Sequence, residues 1–284
     1  MKKIISLALA LLMLASLAVF TISCDSANDE IIVNTNAFFA PFEYYVGDEI
    51  VGVDVEIMNM VGEKMGKKVT FKNTEFSAII DNVKEGKVCD CGAAGITITD
   101  ERKDKVDFSI PYYTSVQYVI FAKDSEIAKR GSGDNRYIVW EALAGMTIGT
   151  QTDTTGWIYT DGEIFAQADN DYGYDGVLYG TNTVLKNFDN AQLAADGIAS
   201  NIVDVVIIDE LPAEYIVSKN TNLACLPLYY AGETEADDAP VEEQYAIAVT
   251  KGNDELLKAI NEVLTDLISK GEVEKMVMKH MITE

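Results

Sequence analysis

The sequence predicts an α/β protein of two lobes joined by two crossing strands. Between residues 31 and 95, short apolar runs alternate with stretches of helical spacing. A β-α-β-α-β order of this kind implies a parallel sheet flanked by helices. A second unit of the same texture lies between residues 147 and 208. Residues 117–123 and 243–252 are matched extended apolar runs, placed to carry the chain out to a second lobe and back. The expected division is lobe I at 31–111 plus 243–284, an inserted lobe II at 117–236, and hinges at 112–116 and 237–242. With 284 residues, 48% of them hydrophobic, the chain can build two modest cores.

In chain order, Ile31-Ile32-Val33 reads as a first buried strand, followed by a loop whose aromatics, Phe38, Phe39 and Phe42, surround Pro41. Residues 53–61 have helical spacing and stop near Gly66. Met58 and Met60 there are core residues. Residues 69–72 form a second strand, and 74–80 enter a helix carrying Phe76. Cys89 and Cys91 sit two apart on one strand face, where they cannot easily bridge each other and pack as small apolar groups. Ala93, Ala94 and Gly95 are small enough to let a ligand reach the backbone. Thr97 and Thr99 alternate with Ile96 and Ile98, which puts both hydroxyls on one side. Arg102 follows within one helical turn, and its planar fork matches a carboxylate with two parallel hydrogen bonds. Gly95, Thr97 and Arg102 together suit an α-carboxylate; the plainer alternative is a strand-to-helix turn with an Arg in a surface ion pair.

In the second unit, a strand at 147–150 feeds Gln151, Thr152, Asp153, Thr154 and Thr155 into a helix. Such a hydroxyl-rich helix start offers free N–H groups to an anion, or serves as a plain cap. Residues 160–180, rich in Asp, Gly and Tyr, read as a surface loop. The apolar strand at 203–208 delivers Asp209 at its C-terminal end, where open α/β sheets bind ligands; the alternative is a cap for the next helix. The acidic stretch 233–243, with Pro240, reads as an exposed linker. Residues 253–268 form an amphipathic helix, and another follows Gly271.

The run from Gly95 to Arg102, continued by Val106-Asp107-Phe108-Ser109 and Pro111-Tyr112-Tyr113, resembles the signature of extracellular solute-binding proteins for polar amino acids. These serve bacterial ABC importers. The resemblance runs from about Ile31 to Met281 and implies a two-lobe, type II periplasmic-binding-protein fold with one amino acid held between the lobes. It assigns Ala94, Gly95, Thr97 and Arg102 to the ligand on the first lobe and Gln151, Thr154 and Thr155 on the second. Asp209 would hold the α-ammonium, and Phe39 and Phe76 would clamp the side chain. Three residues before Phe39, where an Asp often contacts the ligand side chain, this chain has Asn36. With Gln151, that suggests a neutral side chain such as glutamine's, with a basic amino acid second. Asp153 stands where a Gly usually precedes the two Thr. The implied partner is the importer's membrane permease, and no cofactor, no metal and a monomer are expected.

Lys2 and Lys3 precede an apolar run at 4–20, the form of a secretory signal ending at residue 23. Thr21-Ile22-Ser23-Cys24 resembles a relaxed lipoprotein box, with Cys24 as the lipid attachment and 24–30 as a tether. Stable anchoring then needs several acyl chains. The expected place is the periplasm or cell surface. Losing Lys2 and Lys3 with the signal takes the net charge from −24 to −26, which disfavours nucleic acid. His280, near the C-terminus, is the only histidine, which disfavours a catalytic triad or a histidine metal site. The rival from another class is a cyclohexadienyl or arogenate dehydratase-like enzyme on the same fold, with Glu210 as the acid that protonates a leaving hydroxyl.

Overall fold

The computed structural model describes residues 29–282. The signal at 1–23, Cys24 and most of the tether lie outside the described residues. The first lobe comprises β1 (Glu30–Thr35), β2 (Phe38–Phe39), β3 (Glu43–Val46), β4 (Glu49–Val51), α1 (Val53–Met65), β5 (Lys68–Asn73), α2 (Phe76–Glu85), β6 (Cys91–Gly92), α3 (Asp100–Lys105) and β7 (Asp107–Phe108). The chain then leaves through β8 (Tyr113–Ala122) and builds β9 (Ile138–Val139), β10 (Thr147–Gln151), α4 (Thr155–Phe165), β11 (Val184–Phe188), α5 (Ala191–Ala199), β12 (Val205–Asp209), α6 (Glu210–Lys219), β13 (Leu223–Tyr230) and β14 (Ala239–Pro240). It returns through β15 (Glu242–Tyr245) to β16 (Ala248–Val249), α7 (Asp254–Ser269) and α8 (Glu272–Met281).

The two main sheets have the orders β5-β1-β6-β16-β7 and β11-β10-β12-β8-β13-β14. In the first, β1 runs parallel to β5 and β6, and the returning β16 closes the sheet antiparallel to β6 and β7. In the second, β10 is parallel to β11 and β12, while β8 lies antiparallel between β12 and β13. The local causes follow the sequence. Helix α1 buries Val53, Ile57, Met58 and Val61 at helical spacing and ends at Gly66, whose left-handed backbone (φ 67°) closes the last turn onto the carbonyls of Gly62 and Glu63. Helix α7 starts on an Asn253 cap and buries Leu256, Ile260, Val263, Leu264 and Leu267. The thiols of Cys89 and Cys91 are buried, which pushes Cys89 up to about 11 and Cys91 further.

Three stretches differ from expectation. β15 pairs with the first half of β8, Glu243 opposite Ser115 and Tyr245 opposite Tyr113, so the second crossing runs at 242–245. That lies at the start of the expected crossing run, 243–252, whereas the expected hinge, 237–242, holds Ala239 and Pro240 paired to Tyr230 and Tyr229 on an outer strand, where a residue without an N–H is tolerated. The acidic linker is therefore not exposed throughout, because Glu243 is buried. Between 160 and 180 the helix continues to Phe165, and the loop behind it is pinned. Leu178 is buried, and the buried Glu163 accepts from the Val177 N–H (2.8 Å) and the Tyr230 hydroxyl (3.1 Å).

Beneath the Gly95 turn lies an acid pair, Glu43 and Asp54, both fully buried. Asp54 accepts from the Tyr112 hydroxyl (2.5 Å) and the Gly95 N–H (3.0 Å). Burial raises Asp54 from 3.8 to about 6 despite these donors, and burial with the Asp54 charge puts Glu43 well above its usual range. Both folded-state values exceed the unfolded ones, so the stability they contribute is fully present in acid and is lost as pH rises through the folded values. The Asp54 shift corresponds to about 3 kcal/mol. Exposed carboxylates held low, such as Glu262 beside Lys64, titrate below this window. The melting temperature should therefore rise as pH falls from about 8 to about 5. Calorimetric melts across that range should show the rise, and Glu43→Gln should flatten it.

Candidate functional site

The C-terminal ends of the parallel strands of both sheets point at one cleft. Asn36 and Phe39 follow β1, Phe76 opens the helix after β5, and the turn from Gly95 to Arg102 follows β6. From the other side come Gln151 at the end of β10, Thr154 and Thr155 at the start of α4, and Asp209 at the end of β12. These residues line a single tight cavity, closed down to about 10 Å³ of room for the centre of a water-sized sphere. Ala94 does not line it: its side chain packs in a core cluster with Ile79, Val83 and Ile96. A wider hollow of about 350 Å³ at the cleft mouth shares Phe76 and Arg102 with the cavity and adds Asp81, Glu101, Asp153 and Trp157.

On the first lobe, Gly95 has φ 53°, and a Cβ there would come within 2.6 Å of the Phe39 ring. Glycine thus satisfies both the turn and the close approach of the aromatic. Thr97 lies in an irregular segment and forms an isolated bridge with Tyr245, while Thr99 caps α3 by accepting the Arg102 N–H (3.2 Å). The two hydroxyls therefore do different work. Arg102 is buried. Its Nη1 donates to the Thr97 carbonyl (2.9 Å), and its Nη2 crosses the cleft to the Asp153 carbonyl (2.9 Å). The guanidinium lies 5.5 Å from the centre of the Phe76 ring, so Phe76 stacks on the arginine. Burial lowers the Arg102 pKa, and the charges of Glu243 and Asp209 oppose that shift.

On the second lobe, Thr154 is the helix cap: it accepts the Trp157 N–H (3.3 Å) and donates to the Gln151 carbonyl (2.8 Å). Thr155 faces inward, and its hydroxyl donates to Glu243 Oε2 (2.9 Å). Gln151 Nε2 donates across the cleft to Asn36 Oδ1 (3.0 Å). Asp153 has φ 61°, a left-handed conformation that Asp tolerates better than most residues, and its exposed side chain belongs to the outer hollow. Asp209 occupies the cap position of α6 without capping it; its carboxylate instead accepts from Gln117 Nε2 (3.0 Å). Burial first, then the neighbouring Glu243 charge, pushes Asp209 well above the carboxylate range.

Residues 31–283 match the model of the bacterial extracellular solute-binding proteins, family 3. The chain belongs to this family. It is 28% identical to the arginine-binding extracellular protein ArtP of Bacillus subtilis, over 95% of this chain and 96% of that protein. Among solved structures, it is similar to the substrate-binding protein AbpA of Streptococcus pneumoniae bound to L-arginine (26% identity, TM-score 0.73, covering 91% of this chain and 98% of that one). It is also similar to an ancestral arginine-binding protein bound to glutamine (31% identity, TM-score 0.70, covering 88% and 97%). The fold is that of a two-lobe, type II periplasmic binding protein.

In this solute-binding protein the crossing strands carry two polar residues that sequence reasoning passed over. Gln117 and Glu243 are both buried behind the cavity, bonded to residues that line it: Gln117 to Asp209, and Glu243 to Thr97 and Thr155. Glu243 accepts from Thr97 (2.7 Å) and Thr155 through Oε2, and from Gln117 Nε2 (3.0 Å) through Oε1. A signal existed: Glu243 and Tyr245 alternate with the exposed Glu242 and Gln244, and Ser115 and Gln117 alternate toward Val119. A polar residue in the inward phase of an otherwise apolar strand needs a partner. Glu210, the acid of the dehydratase alternative, accepts the Tyr118 hydroxyl (3.1 Å) and does not line the cavity. Gly95→Ala should cost about 1–3 kcal/mol, the range for a forced left-handed residue, because the Cβ also displaces Phe39. Urea unfolding should show a lower midpoint at an unchanged slope.

Proposed function

We propose that the protein captures one free amino acid between its lobes and delivers it to the membrane permease of an ABC importer. The observation that carries this is the placement of Arg102 and Asp209, opposite charges on opposite lobes, facing one enclosed cavity. A zwitterion is complementary to that pair, with its carboxylate toward Arg102 and its ammonium toward Asp209. Only the closed form makes both contacts, so ligand favours closure, and closure is the form a permease would recognise. We place the hinge in the crossing pair 113–116 and 242–245. Phe39 gives the ligand side chain an apolar wall, with Phe76 backing Arg102. The protein acts outside the cytoplasm as a monomer held to the membrane through a lipid on Cys24. Its role is binding without turnover, since Glu210 is turned toward Tyr118.

The ligand is a polar amino acid. The Asn36–Gln151 pair offers amides to a neutral side chain such as glutamine's, whereas two acids against one guanidinium suit a basic one. The similarity to proteins that bind arginine supports the basic reading. Arg102→Ala and Asp209→Asn should each cost about 3–5 kcal/mol of affinity, the range for stripping one partner from a buried charge pair. That is roughly two to four decades in Kd. Titration calorimetry with a panel of amino acids tests this, and unchanged affinity in either variant removes that residue from the site.

A further inference from the structure

Asp209 and Glu243 are two buried carboxylates held on one face of three neighbouring strands. Asp209 of β12 pairs directly with Gln117 of β8, and Glu243 of β15 pairs with Ser115, two residues earlier on the same face of β8. The single amide nitrogen of Gln117 donates to both acids, at 3.0 Å to Asp209 Oδ1 and 3.0 Å to Glu243 Oε1. The acceptor oxygens of the two acids are therefore at most about 6 Å apart. Like charges that close, out of water, do not both ionise freely.

The two acids differ in their donors. Glu243 receives Gln117 on one oxygen and the hydroxyls of Thr97 and Thr155 on the other, a set that satisfies an ionised carboxylate. Asp209 accepts from Gln117, with Tyr245 as the other side-chain group that favours its ionised form, and burial with the Glu243 charge outweighs them and favours the protonated form. The other titratable groups facing the pair are Arg102 on α3, Tyr159 on α4 and Tyr245 on β15. Both tyrosines are held above their usual values and stay neutral; Arg102 is the one cation among them.

We propose that Asp209 and Glu243 hold one proton between them and that an incoming α-ammonium takes its place. The inference rests on the reading that an amino acid binds here. It makes Glu243 a positioning residue that acts on the ligand through Asp209. The Asp209 O–H bond breaks, its proton passes to buffer base, and the ligand ammonium keeps its own protons and donates to the freed carboxylate. One positive charge enters as one leaves, so the cavity is never left with two uncompensated acids.

The test is calorimetry of the protein with L-arginine, L-lysine, L-ornithine and L-glutamine, none of which titrates near pH 7, in phosphate and in Tris. The difference in heat between the buffers counts protons. For any of the four that binds, release of about one proton per ligand is expected, with affinity falling by up to tenfold for each pH unit below neutrality. Glu243→Gln removes the like charge, so its proton release should fall by half or more and its pH profile flatten, while Glu243→Asp keeps both. A variant that fails to fold leaves the wild-type buffer comparison to decide. Equal heats in the two buffers, or a Glu243→Gln profile identical to wild type, overturn the inference and leave the amino-acid reading standing. If none of the four binds, both fall.

Discussion

A guanidinium that is always charged lies buried between two backbone carbonyls on opposite sides of a cleft. Taking such a group from water costs several kcal/mol unless its donors are met and its charge is answered. Much of the surrounding structure meets that demand. Thr99 starts the short helix that presents Arg102, Phe76 covers its face, and the left-handed turn at Asp153 aims a carbonyl at it. Two acids complete the answer from the far wall. The same donors are what a carboxylate would use, so the contacts that link the two sides of the cleft are also the ones the proposed ligand would compete for.

The sheets supply rigidity and the loops supply chemistry. Each group named at the cavity, apart from Gln117 and Glu243, stands within a few residues of the end of a parallel strand or at the start of the helix that follows it. Strand ends are fixed by the ladders behind them, which positions the side chains they carry. Beneath one of these turns, Asp54 ties the Gly95 N–H and the Tyr112 hydroxyl together, so the buried acid pair of the first lobe supports the cavity-lining Gly95 turn from behind.

The alternation of apolar runs and helical spacing made both lobes legible, because core burial follows period and composition. That most of the singled-out residues meet at one cavity was legible for a different reason: strand ends in an α/β order can be placed from sequence. What sequence did not reveal depends on register. Whether Thr97 or Thr99 faces the cleft turns on an irregular segment, and Thr99 and Thr154 are taken by helix caps. The second crossing strand starts where its texture implied, but the hinge expected at 237–242 is taken up by an outer strand on which Pro240 could sit. Glu243 thus fell at an assumed boundary, where a buried carboxylate was not sought.

That position carries a consequence. Glu243 sits on a strand that crosses between the lobes, whereas its hydroxyl donors come one from each lobe, Thr97 from the first and Thr155 from the second. Lobe separation removes at least one donor from a buried carboxylate, and an ionised group losing a donor becomes costlier. The charge state of the crossing strand and the distance between the lobes are therefore linked. A ligand that brings positive charge to Asp209 relieves the repulsion that Glu243 feels, and so favours the geometry in which both hydroxyls reach it. Coupling between ligand charge and closure then needs no relay through the protein interior: it acts within one cluster of four strands and helix starts, at the point where the lobes join.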